Sequence, residues 1–257
     1  MNILNKKMLM KAALWVLFLG TASTDGLNKT RKVKPLPSNC VEAVSFAGTG
    51  AKSGIYQIRL PLEGWTHRPF YVYCLLDRNG GDPWLLVQRR QNDSIDFYRT
   101  WNDYTTGFGN LATSFWIGLE KLNALTQVQL HELQIELHDF KDTVKYANYE
   151  KFAIGDDNEQ YAVNILDSYS GSAGDSLLGI HDGEKFSTYD VDNDKWNGNC
   201  AEDLKSGWWF SQCHLSNLNG EYLNGTNKDN DGRGIIWNSW HGEHYSLKYA
   251  HMAIRPR

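Results

Sequence analysis

Asp190, Asp192 and Asp194 occupy alternate positions at the head of DVDNDKWNGNCAEDLKSGWWFSQCHLSNLNG, residues 190–220. In an extended strand that spacing would line three like charges along one face, a destabilising arrangement. A turn wrapped round a cation removes the repulsion. Hard oxygen donors of this kind suit Ca²⁺, which takes about six to eight oxygens and recruits main-chain carbonyls beside carboxylates; Trp196 and Gly198 stand where such carbonyls could come from. The segment is not an EF-hand, because counting from Asp190 puts Lys195 at the glycine position and Ala201 at the position of the bidentate glutamate. Taken alone, Asp-x-Asp-x-Asp reads first as a solvated acidic turn. Its company changes that reading: Cys200, Cys213, Trp208, Trp209 and His214 crowd the same stretch. Four cysteines allow three pairings; proximity favours Cys200 with Cys213, leaving Cys40 with Cys74. A bridge closing so short a loop stabilises by roughly 3 kcal/mol through the unfolded chain.

The ends of the chain say where such chemistry would operate. Lys6, Lys7 and Lys11 precede an apolar run from Ala12 to Gly20 and small residues ending near Ala22, which is the pattern of a secretory signal peptide over residues 1–23. The run is about half the roughly 20 residues needed to span a bilayer, and nothing later is longer, so a secreted, extracellular protein with no membrane partner is expected. Residues 24–39 are polar, hold Pro35 and Pro37 and show no heptads, and read as a short linker before one domain over 40–257. An even cysteine count fits an oxidising compartment, and sequons at Asn28, Asn92 and Asn224 are glycosylation candidates. Losing three lysines with the leader leaves 23 basic against 30 acidic residues, a net charge near −7 instead of −4, which argues against nucleic acid as a partner.

The elements that must position the acidic loop lie mostly before it. Strands are expected at Gly54 to Leu60, Phe70 to Leu76, Trp84 to Arg90, Leu130 to Phe140 and Val144 to Ile154; in the fourth, Leu133, Ile135 and Leu137 alternate with Glu132, Gln134 and Glu136. Trp116, Leu119, Leu122 and Leu125 are near helical spacing and predict a helix over Phe115 to Thr126. From Asn158 onward glycine, asparagine and aspartate dominate and predict loops. The fold class is α+β with an irregular C-terminal third.

Eleven motifs in order carry a family resemblance: CVEA at 40, GIYQIRL at 54, PFYVYCLLD at 69, WLLVQRR at 84, DFYRTWNDYTTGFGN at 96, FWIGLEKL at 115, HELQIEL at 131, YSGSAGDSL at 169, KFSTYDVDNDKWNGNCA at 185, GWWFSQCHLSNLNGEY at 207 and HYSLKYAHMAIRP at 244. Over residues 40 to 257 the chain resembles a fibrinogen C-terminal-like domain, most similar to secreted arthropod fibrinogen-related proteins, with ficolins and tachylectins as relatives. The resemblance implies an N-terminal disulfide subdomain, a central mixed sheet and a loop-rich calcium-binding C-terminal subdomain. It implies Ca²⁺ held by the side chains of Asp192 and Asp194 and the carbonyls of Trp196 and Gly198, with bridges Cys40–Cys74 and Cys200–Cys213. It also implies an acetyl-group site in which a cis Gln212–Cys213 bond aims the N–H groups of Cys213 and His214 at the ligand, walled by Tyr245, Trp209 and His214. Leu204 and Glu243 stand where lectin members carry aromatics.

The first functional expectation is therefore a calcium-dependent pattern-recognition lectin of innate immunity that binds acetylated carbohydrate on microbial surfaces. One shallow site needs several copies for useful affinity, which admits a homo-oligomer, although no stalk is visible in the sequence. The alternative is a non-lectin secreted ligand for a receptor or other extracellular protein, or an aggregation or clotting factor. Catalysis is not expected: no serine or cysteine has an assignable base and no glycine-rich phosphate loop follows a strand.

Overall fold

The computed structural model of the protein describes residues 35–226 and 232–257. The expected leader, most of the linker and the Asn28 sequon lie outside the described residues.

Strands β1 (Gly54–Ile58), β2 (Phe70–Leu75) and β3 (Trp84–Arg90) are followed by the short β4 (Phe108–Gly109) and β5 (Phe115–Trp116), then by the long β6 (His131–His138), β7 (Val144–Ile154) and β8 (Val163–Gly171). The C-terminal part adds two-residue strands β9 (Ser216–Asn217), β10 (Gly225–Thr226), β11 (Ile236–Trp237) and β12 (Tyr245–Ser246), and closes with β13 (Tyr249–Pro256). The main sheet runs β1-β2-β3-β13-β6-β7-β8, every pair antiparallel. The last strand of the chain thus lies at the middle of the sheet, hydrogen-bonded to β3 on one side and β6 on the other.

Side-chain alternation divides the sheet. Leu133, Ile135 and Leu137 of β6 join Ala250, Met252 and Ile254 of β13 and Leu119, Leu122 and Leu125 of a helix in one hydrophobic core. The opposite face of β6 carries Glu132, Gln134, Glu136 and His138. Helix α1 (Cys40–Ala47) starts at Asn39, whose side chain accepts the Glu42 N–H, and α2 (Trp101–Thr106) starts at Thr100, which accepts that of Asp103. The Cys40–Cys74 bridge ties α1 to β2. The Pro37 carbonyl accepts the Arg59 N–H, so the fold begins a few residues before Cys40.

Two expectations are corrected. The helix expected from Phe115 begins instead at Leu119, as α3 (Leu119–Val128); Phe115 and Trp116 pair with Arg89 and Gln88 as a strand. Gly118, at φ 105°, and Gly107, at φ 95°, lie so close that a Cβ on Gly107 would come within 2.4 Å of the Ile117 carbonyl oxygen, and this crossing separates strand from helix. The C-terminal third, expected to be loops, contains β8 and β13; β8 is an edge strand with exposed Asn164 and Ser168, and β13 mixes tyrosine, histidine and arginine among its apolar residues Ala250, Met252, Ala253 and Ile254.

Between β8 and β13 much of the described chain is irregular and in part buried, and side chains of the sheet satisfy its backbone. Arg90, fully buried, donates from Nη1 to the carbonyls of Leu218 (3.1 Å) and Gly220 (2.6 Å) and lies 3.8 Å above the Phe97 ring. Gln88 donates to the Leu218 carbonyl at 2.8 Å. Burial lowers the Arg90 pKa to about 10, so the guanidinium still carries its charge at neutral pH. Arg90→Met would keep the bulk and strand the Gly220 carbonyl; a loss of about 1–3 kcal/mol is expected, seen as a lower thermal midpoint, and an unchanged midpoint would contradict this role.

Candidate functional site

The acidic segment forms a loop closed at its base by the Ser187–Trp208 bridge and by the Lys195 N–H, which donates to the Ser211 carbonyl at 2.9 Å. Its three aspartates do different work. Asp190 turns away, its Oδ1 accepting the Trp101 N–H of α2 (2.9 Å) and the Thr188 hydroxyl (2.7 Å). Asp194 organises the turn: Oδ1 accepts the Trp196 N–H at 2.9 Å and Oδ2 accepts the Cys200 N–H, at the start of α5 (Cys200–Asp203), at 2.8 Å. Asp192 accepts the Asp194 N–H at 3.1 Å.

Burial, and then the charge of Asp192, raise the Asp194 pKa against the pull of its two backbone donors. Lys195, the neighbouring cation, does not relieve the pair, because its ammonium bonds Glu184 at 2.5 Å. Asp192 and Asp194, with the main-chain carbonyls of Trp196 and Gly198, are the residues that could hold a hard cation such as Ca²⁺. Gly198 is also needed sterically: a Cβ there would lie 2.6 Å from the Trp196 ring. The indole folds over the loop and is still 47% exposed.

Beyond the loop, Cys213 is bridged to Cys200 and the Gln212–Cys213 peptide is cis. His214 Nε2 donates to the Gly232 carbonyl at 3.0 Å, leaving Nδ1 buried without a partner among the described residues, and burial lowers the ring pKa to about 4. Leu204 packs into the same corner, and a Cβ on Gly232 would lie 2.9 Å from His214 Nε2 and 3.3 Å from the Leu204 side chain. Of the other two residues expected to wall a ligand, Trp209 is held in the core with no exposed surface, packed against Phe186, Trp116 and Trp208. Tyr245 stacks on His241 at 4.2 Å, and its hydroxyl oxygen accepts the Phe140 N–H. Of the sequons, Asn224 is exposed and Asn92 half-buried, its Oδ1 accepting the Ser94 hydroxyl at 2.6 Å.

One residue that sequence reasoning missed holds this region together. His181, fully buried at the end of α4 (Leu178–His181), donates from Nδ1 to the Trp209 carbonyl (2.6 Å) and accepts the N–H groups of Leu215 and Ser216 at Nε2 (both 3.1 Å). It bolts both sides of the Cys213 turn to one ring, and a lone histidine in LLGIHDG gives no sign of that. Tyr104 acts likewise, donating to the Phe97 carbonyl and accepting the Gly207 N–H.

The C-terminal globular domain family of fibrinogen beta and gamma chains matches residues 36–257. The chain belongs to this family. It is 45% identical over 217 residues to fibrinogen-like protein 1 of Rattus norvegicus, spanning 79% of this chain and 67% of that protein. Among solved structures, the fibrinogen-like globe domain of human ANGPTL2 superposes with a TM-score of 0.79 at 34% identity, covering 86% of this chain and 99% of that one. Lamprey fibrin D-dimer, complexed with the peptide ligand Gly-His-Arg-Pro-amide, gives a TM-score of 0.77 at 35% identity, over 92% of this chain and 79% of that one. None of the three is an arthropod protein.

Burial depresses the His181 pKa to about 4, and an unfolded histidine titrates near 6.5. The unfolded state therefore binds the proton first, and stability present above about pH 6.5 is lost as pH falls towards 4. His181 alone contributes a loss on the order of 2 kcal/mol by pH 5. The expected result is a thermal midpoint that falls steeply below pH 6.5, with a shallower fall in His181→Gln; a flat midpoint from pH 7 to 5 would contradict it.

Proposed function

We propose that this chain is a secreted ligand that binds another extracellular protein through the loops around residues 187–215, with Ca²⁺ on Asp192, Asp194 and the carbonyls of Trp196 and Gly198. The observation that carries this reading is the corner where Leu204, His214 and Gly232 pack together while Trp209 lies in the core and Tyr245 faces His241. An acetyl group needs an aromatic wall beside the Cys213 and His214 N–H groups, and Trp209, buried in the core, does not supply it.

The same loops instead carry exposed large side chains, Trp196, Tyr189 and Leu215. Such residues anchor protein interfaces because they bury much area for little lost freedom. Tyr189 is braced by Tyr98 at 4.5 Å. Beside Trp196 an open cleft of about 300 Å³ is bordered by Asn199, Glu202, Asp203 and Lys205, polar groups suited to an interface rim. The peptide bound by the lamprey fibrin relative is in keeping with a polypeptide partner. Nothing in the reading requires bond chemistry, and all four cysteines are bridged.

Two experiments test it. The Fc-fused protein is expected to bind a receptor-displaying cell surface in calcium, to resist elution by N-acetylglucosamine, and to lose at least tenfold in affinity on Trp196→Ala. Calcium-dependent retention on an N-acetylglucosamine resin, released by the free sugar, would overturn it in favour of a lectin. For the metal, calcium is expected to raise the thermal midpoint of the parent protein and of Asp190→Ala but not of Asp192→Ala or Asp194→Ala. Equal midpoints with and without calcium in the parent would remove the ion from the account.

A further inference from the structure

Far along the chain from the acidic loop, the polar face of the sheet holds a cavity of about 350 Å³ lined by Gln134 and Glu136 of β6, Tyr146 of β7, Trp84 of β3, and the turn that contains Asp77 and Arg78. The turn is tight: the Gly80 N–H donates to the Asp77 carbonyl, with Gly80 at φ 78°. Glu136 is only 4% exposed, yet it lines this open space.

Burial works against its charge, but the hydrogen bond from His138 and the nearby positive groups outweigh it and hold the carboxyl below its usual range. Oε1 takes His138 Nε2 at 2.7 Å and Arg78 Nη2 at 3.3 Å. Arg78 also reaches the Tyr146 hydroxyl at 3.3 Å, but its side chain is 70% exposed. His251 lies opposite Glu136 in the β13–β6 register, and burial holds its pKa near 4, so it is neutral at neutral pH. Asp77, the other carboxylate of the cavity, is already committed to the Asn79 N–H, to Trp84 Nε1 and to Arg255. On the cavity side, then, the buried carboxylate of Glu136 meets a guanidinium that hangs over the cavity mouth in water, beside the His138 contact made within the sheet. With its guanidinium in water, Arg78 binds Glu136 weakly, whereas the same contacts made inside the cavity would act through a lower dielectric. The walls also suit a flat cation, for Arg255 already lies 4.1 Å above the Trp84 ring in the same neighbourhood.

We propose that this cavity is a binding site for a guanidinium group, carried by an arginine side chain of a polypeptide or by a free guanidino compound, with Arg78 as its internal and displaceable occupant. The ligand repeats the contacts of Arg78 to Glu136 and Tyr146 from within, and the 77–81 turn swings outward with the displaced side chain. The site shares no residue with the calcium loop, so it stands or falls separately from the function proposed above.

Calorimetric titration of the full secreted chain tests it with three probes: N-acetyl-L-arginine amide, agmatine, and N-acetyl-L-citrulline amide as the uncharged isostere. Arg78→Ala is expected to tighten binding of both charged probes at least tenfold over the parent while citrulline stays unbound. Glu136→Gln in that background is expected to abolish binding. Because that change could also disturb the fold, Gln134→Arg in the Arg78→Ala background provides a second route, filling the cavity while leaving Glu136 in place, and is expected to abolish binding too. Preference for the arginine amide over agmatine would assign the site to a polypeptide, and the reverse preference to a free compound. Binding no tighter in Arg78→Ala than in the parent, equal binding of citrulline, or binding that survives Gln134→Arg would overturn the proposal.

Discussion

The constraint on which this structure depends is that buried backbone polar groups must be hydrogen-bonded even where no helix or strand supplies the partners. Much of the chain between β8 and β13 is buried without regular pairing, and a handful of polar side chains stand in for a ladder. Arg90 and Gln88 reach from β3 to the carbonyls of Leu218 and Gly220, Asn219 returns a bond to the Gly207 carbonyl, and His181 joins Trp209 to Leu215 and Ser216. Each replaces a bond that water would otherwise have to make, so each fixes the path of several residues at once.

Asp194 applies the same device at the surface. By accepting from both Trp196 and Cys200 it curls the turn before any ligand arrives, and each of its oxygens keeps lone-pair capacity for a cation. The like charge of Asp192 works against the turn, alongside the burial that raises the Asp194 pKa. A loop already curled has little freedom left to lose. Scaffold and site are linked both through this backbone bonding and through one hydrophobic core that runs from the sheet to Leu204, Trp208 and Trp209.

What was legible in the sequence followed from local rules. The alternation of Leu133, Ile135 and Leu137 marked β6, β3 was found with its ends, and the Cys40–Cys74 and Cys200–Cys213 bridges stand as proximity and resemblance indicated. What was not legible depends on contacts distant in the chain. Strand β13 is central only because β3 and β6 flank it, and its tyrosine, histidine and arginine residues obscure the apolar alternation. The division of labour among Asp190, Asp192 and Asp194 could be guessed from family likeness, but the task of Asp190, holding the N–H of Trp101 some ninety residues earlier, could not. Likewise, Trp209 looked available beside His214 until the fold turned it inward.

The most direct measurement is residue-resolved amide hydrogen exchange of the calcium-free protein at Trp196 and Cys200. If Asp194 holds the turn on its own, both amides exchange well below the rate of an open loop and calcium slows them further. Exchange at the unprotected rate without calcium, with protection appearing only on its addition, would mean that the ion builds the loop and that the side-chain bonding described here does not.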